Sequence, residues 1–191
     1  MIGTTQSLAG HLLIAMPNLA DPNFWQAVVL LGVHSDDEGA FGLIINRTLD
    51  VDLREVLLEL GEETAPGDFP EVFGGGPVQP SNGFVLFERG QNQVADDEIA
   101  IAESIVISGS TETLTRLTQE VGNTRYFLLL GYAGWHPGQL EREIEENSWV
   151  IAPFDTSIIF EVPVEERWAA ALKSIGIDPG TLVDAGSTEP S

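Results

Sequence analysis

The eleven residues Gly131-Tyr132-Ala133-Gly134-Trp135-His136-Pro137-Gly138-Gln139-Leu140-Glu141 constrain this chain most, because a strand, a turn and a helix start follow one another within them. The run from Tyr126 to Gly131 is continuously apolar, the pattern of a buried strand. Pro137 and Gly138 interrupt it, and Gln139 to Glu146 reads as a helix. A tryptophan flanked by glycines at such a corner is either a packing pin or the wall of a pocket.

The rest of the chain interleaves short strands and helices. His11 to Met16, Ala27 to His34 and Ala40 to Asn46 read as strands, and Ser35-Asp36-Asp37-Glu38-Gly39 has the chemistry of a hairpin loop between the last two. After the Asp21-Pro22-Asn23 turn, Phe24 and Trp25 are expected to pack as one helical turn. Leu53, Val56, Leu57 and Leu60 recur at i, i+3, i+4 and i+7, Asp52 and Glu55 have capping-box spacing, and Gly61 stands at C′, which predicts a helix from Asp52 to Leu60. Val72-Phe73 enters the Gly74-Gly75-Gly76-Pro77 loop, and Gly83 to Glu88 is a strand. Gln91 to Asp97 is a polar, ragged edge, and Ile99, Ile101, Ile105 and Ile107 form paired short strands. Ser110 is placed to cap a helix with Leu114, Leu117 and Val121 on one face and Gly122 at its end. Trp149 to Ala152 and Thr156 to Phe160 read as strands split by Pro153. Val164, Trp168, Leu172 and Ile175 stripe a last helix, with Pro163 at its first turn. This order lacks a βαβ rhythm and includes a hairpin, so it predicts an α+β fold with a mixed, curved sheet and about four helices. One domain is expected over residues 1–185, with a flexible tail at 186–191.

Charge narrows the function. Thirty acidic residues face eight basic ones, a formal net charge of −22. The basic residues are scattered and form no basic helix face, so direct contact with nucleic acid or an anionic membrane is not expected. A single lysine among so many carboxylates also fits a saline habitat. With no cysteine, the chain has no disulfides, thiolate metal sites or cysteine nucleophile. Met1 to Gly10 has neither a basic nor an apolar signal region, and no apolar run is long enough to span a bilayer, so the cytoplasm is the expected location.

Several motifs together resemble the bacterial YqgE/AlgH family. They are Leu8 to Pro17 with Asp21 to Phe24, His34 with Gly39 to Arg47, Phe73 to Val78 with Gly83 to Leu86, Gly131 to Trp149, and Arg167-Trp168 with Gly176 to Asp178. The chain departs from the family pattern at Thr48, where proline is usual, and at Phe87, where histidine is. Its Asp184 to Ser187 replaces a Gly-His-Ala ending. The resemblance implies a compact α+β domain with a partly closed mixed sheet. For function it implies only a largely uncharacterised family, one branch of which is linked to regulation of alginate synthesis and described as a transcriptional regulator. No helix-turn-helix with a basic recognition face accompanies that description here.

The candidate ligand-binding residues are His34, Asn46, Arg47, Gly74, Gly75, Gly76, Trp135 and Gln139. The Gly74–Gly76 loop offers either an anion nest of backbone N–H groups or a tight turn, and it lacks the Gly-Lys-Ser/Thr ending of a phosphate loop. His34 is either a loop-edge hydrogen-bonder or a base. In a hairpin it lies roughly 20 Å from Asn46 and Arg47 at strand rise. Trp135, His136, Gln139 and Trp149 form the best remaining cluster, read as core packing or as a ligand corner. The acidic triplets Asp36 to Glu38 and Asp96 to Glu98 lack calcium-loop spacing and read as solvated loops. There is no Gly-x-Ser-x-Gly and no zinc-type histidine pair, so no catalytic residue, metal or cofactor is assigned. The expectation is a non-enzymatic binding or regulatory module with a protein or small-molecule partner. The alternative is an enzyme that holds a small anionic substrate near Gly74 to Pro77.

Overall fold

The computed structural model describes residues 6–90, 95–102, 104–120 and 124–185. In chain order the strands are β1 (Leu12–Ala15), β2 (Val28–Ser35), β3 (Gly39–Ile44), β4 (Val72–Gly74), β5 (Val78–Glu88), β6 (Glu98–Ala102), β7 (Ile105–Ser108), β8 (Tyr126–Trp135) and β9 (Trp149–Ala152). The α-helices are α1 (Leu53–Glu59), α2 (Thr111–Gln119), α3 (Gln139–Glu145), α4 (Thr156–Phe160), α5 (Arg167–Ser174) and α6 (Pro179–Ala185). The α+β class is as expected, with six α-helices among the described residues rather than about four.

The chain gathers into two compact units, one from residues before 47 and after 132, the other from residues 47–132. In the first, β2 and β3 form the anticipated hairpin, paired Val29↔Ile44 through Ser35↔Gly39 with a bulge between Leu31 and Val33. Antiparallel pairing continues from β2 to β1, from β1 to β9, and from β3 to the last residues of β8. All of β1 is buried, as are Val28 to Leu31 of β2. Each leucine or valine so placed contributes about 1.5–3 kcal/mol. In the second unit β6, β7, β5 and the first residues of β8 pair antiparallel, while β4 runs parallel to β8 and makes the sheet mixed. Among the described residues β6 pairs only with β7 and β9 only with β1.

Three differences have local causes. Thr156–Phe160 is α4 and not a strand. Its β-branched residues favour strands, but the Asp155 side chain accepts the Ser157 N–H at 2.9 Å and the Ser157 hydroxyl at 2.6 Å, which nucleates a turn. The missed helix α6 follows the same chemistry, since Asp178 accepts the Gly180 N–H at 2.9 Å. Ser110 makes no side-chain cap to α2. Its own N–H donates to Ser108 Oγ at 3.1 Å instead. Asp52 does cap α1, accepting the Arg54 N–H at 2.9 Å. The expected Val121 face and Gly122 stop, the 91–94 part of the ragged edge, and the 186–191 tail lie outside the described residues.

Candidate functional site

The glycine-and-tryptophan corner around Trp135 is a packed aromatic cluster in the first unit. β8 continues to Trp135, which is 6% exposed, and Trp149 at the start of β9 is 2% exposed. The two indoles meet edge to face at 5.8 Å between ring centroids, and Phe24 packs on both at 6.3 and 5.4 Å. Phe24 sits in a 3-10 turn, Pro22–Phe24, that Trp25 closes by donating its N–H to the Pro22 carbonyl, and Trp25 is 68% exposed. One carboxylate holds the cluster. Glu143 Oε2 accepts the Trp135 and Trp149 indole N–H groups, each at 2.9 Å, and its Oε1 accepts from the Gln139 amide at 2.9 Å. Gln139 Oε1 in turn accepts the His136 N–H at 3.0 Å. The helical spacing of Gln139 and Glu143 puts both on the face that meets the indoles.

His34 joins the same helix through Glu141. The Leu8 N–H donates to His34 Nδ1 at 2.9 Å. A backbone amide can only donate, so Nδ1 carries no proton and Nε2–H donates to Glu141 Oε1 at 2.5 Å. The imidazole side chain is 1% exposed. Both ring nitrogens are occupied and solvent does not reach them, which is the arrangement of a clamp for the 7–8 segment rather than of a base. Ser7 adds a hydroxyl bond to the His34 carbonyl at 3.0 Å.

Glu141 gives the corner a pH dependence. Burial pushes its pKa up, but the bond from its own backbone N–H and the bond from His34 outweigh that and leave it below the usual value. A folded value below the unfolded one stabilises at neutral pH and is lost as pH falls through the carboxylate range. Glu88 in the second unit behaves likewise, held down by its hydrogen bond from Arg125 against some burial. Glu141→Gln is therefore expected to flatten the acid limb of unfolding, losing less stability than the parent between about pH 6 and about pH 3. Chemical denaturation across that range reads it out, and parallel curves would refute it.

The other candidates divide. Asn46 is at the opposite end of the β2–β3 hairpin from His34, as expected, and it staples backbone: its Oδ1 accepts the Val28 N–H and its Nδ2 donates to the Gln26 carbonyl, both at 2.8 Å. That contact holds Gln26 at a positive φ of 51°. Arg47 and the glycine loop belong to the second unit and are neighbours there, because the Gly74 N–H donates to the Arg47 carbonyl at 2.8 Å. The Gly75 N–H donates to the Leu130 carbonyl at 2.7 Å. Two of the three N–H groups of the supposed nest are thus committed to backbone. Gly131 explains the crowding, since a Cβ there would overlap the Gly76 carbonyl oxygen. Burial lowers the Arg47 pKa. Glu141 and Glu143 were not among the candidate residues expected from the sequence. Their signal was available, because a Gln139, Glu141, Glu143 series on a helix beside two tryptophans supplies acceptors for buried indoles.

Comparison with known proteins names the fold. A family model described as AlgH-like matches residues 12–180. The chain belongs to the AlgH-like family. Relatives of this AlgH-like chain include a UPF0301 protein of Magnetococcus marinus, 41% identical over 180 residues that cover 94% of this chain and 95% of the relative. Another, from Paracoccus denitrificans, is 42% identical over 188 residues, covering 95% and 97%. The AlgH-like fold is matched by the solution structure of AlgH from Pseudomonas aeruginosa, with TM-score 0.77, 36% identity and coverage of 100% and 98%. A Corynebacterium diphtheriae crystal structure follows at TM-score 0.69, 25% identity and coverage of 90% and 89%. Among the described residues no helix is long and apolar enough to cross a membrane.

Proposed function

We propose that this AlgH-like chain is a non-enzymatic, cytosolic binding or regulatory module that acts through protein or small-ligand contacts. The observation that carries the reading is the His34–Glu141–Glu143 corner, whose reactive groups are engaged with one another and with backbone. An imidazole accepting from an amide on one side and donating to a carboxylate on the other has no lone pair left for a substrate proton. A carboxylate that accepts two indole N–H groups is a structural acceptor. A chain of net charge −22 selects cationic or neutral partners and repels phosphate backbones. The expected result of incubating the protein with acyl, phosphoryl and glycosyl ester substrates is no turnover above buffer. Turnover abolished by His34→Ala would overturn the reading.

The adjacency of Arg47 and Gly74 favours a second reading, a small anionic substrate held at that loop, although the committed Gly74 and Gly75 N–H groups weigh against it. Titration with inorganic phosphate, followed at the Gly76 amide by NMR, distinguishes the two. A saturable shift supports the anion site, and none dismisses it.

A further inference from the structure

We propose that the groove beside α1 in the second unit docks an amphipathic, basic segment of a partner protein. The proposal rests on the protein-contact reading above and adds where that contact occurs. α1 turns Leu53 and Leu57 into its unit, each 1% exposed. Val56 and Leu60, one helical turn apart, are left along the groove, and Leu60 is 47% exposed. The cavity is about 460 Å³, within the span of about 300–1,000 Å³ typical of binding pockets. Phe84, Leu128 and Leu130 continue its apolar lining, and short polar side chains such as Asn82 and Thr111 complete it. None of the lining residues is charged.

Acidic residues of α1 and α2 stand beside this uncharged groove. At 100° per residue, Glu59 stands next to Val56 around the helix, and Glu55 follows it. Both are exposed, as is Glu112 in the first turn of α2, whose preceding residue Thr111 lines the groove. Arg54, the basic residue of α1, is turned away: its guanidinium donates to Thr64 Oγ1 at 3.1 Å and to the Gly67 carbonyl at 2.7 Å, and lies 4.9 Å over the Phe69 ring. An apolar trough with acidic borders fits side chains that are apolar inward and cationic outward, the pattern of an amphipathic segment in a groove. A second copy of this chain would bring the same acidic surface and be repelled, and so would an anionic bilayer.

The probe is a short fluorescein-labelled amphipathic peptide of leucine and lysine, compared with its leucine–glutamate counterpart by fluorescence anisotropy. The lysine peptide is expected to bind and the glutamate peptide not to. Leu60→Ser should weaken binding at least about tenfold. Leu58→Ser, which alters a 57% exposed leucine on the opposite side of α1, should leave it unchanged. Circular dichroism establishes that both variants fold. Failure of the lysine peptide to bind, equal binding of the glutamate peptide, or equal loss in the two variants overturns the proposal. So does a concentration-dependent dimer that Leu60→Ser abolishes, because a second copy would then be the occupant. Substrate turnover with peptide binding intact would defeat the non-enzymatic reading and leave the groove standing. Loss of peptide binding without turnover would do the reverse.

Discussion

Replacing Glu143 by alanine will lower the stability of the first unit by about 2–5 kcal/mol, because it leaves two buried indole N–H groups without an acceptor. Trp135 and Trp149 are 6% and 2% exposed, so water cannot take over the lost bonds without opening the cluster. Each unsatisfied buried donor costs about 1–3 kcal/mol, and the Gln139 amide loses its acceptor as well. Glu143→Gln keeps an oxygen in place and should cost only about 1 kcal/mol. Urea unfolding followed by tryptophan emission measures both. Equal losses for the two variants would mean that side-chain packing, not hydrogen bonding, holds the corner.

Gly39→Ala is the second large effect. Gly39 has φ +88°, and a Cβ there would overlap the Trp135 carbonyl oxygen and crowd the His136 and Pro137 backbone. The left-handed conformation alone costs an L-residue about 1–2 kcal/mol. The overlap adds to this, because the obstacle is backbone and β3 pairs with β8 next to it, at Ala40↔Trp135. A total of about 3–4 kcal/mol is expected. Gly138 supplies the control: it has φ +76° with nothing within 4 Å of a built Cβ. Gly138→Ala should therefore show the conformational cost alone, about 1–2 kcal/mol. Similar destabilisation by the two alanines in thermal melts would refute the close-approach argument.

Short-range chemistry made much of this fold legible. Asp52, the apolar series Leu53, Val56, Leu57 and Leu60, and Gly61 located α1 because capping and periodicity act within a few residues. Trp149–Ala152 emerged as the expected strand β9. What the pattern hid depends on partners distant in sequence or on a cap that overrides propensity. Thr156–Phe160 looked like a strand until Asp155 capped it, and β4 acquires its identity only by pairing parallel with β8. At the candidate site, Trp135 and Gln139 were visible as a cluster with His136. The partner of His34 was not, since Glu141 lies 107 residues away. The glycine loop showed its need for unusual backbone, but which carbonyls its N–H groups would meet is a tertiary fact.

The tryptophans also make the chain its own optical gauge. Trp135, Trp149 and Trp168 are enclosed, the last donating its indole N–H to the Ala15 carbonyl at 2.9 Å, whereas Trp25 is 68% exposed. Emission is therefore a sum of a blue component from the interior and a red one from Trp25. A neutral quencher such as acrylamide reaches the red component first, and a partner covering that turn would shield it. Occupancy near Trp25 and integrity of the interior can then be followed in one spectrum, without a label.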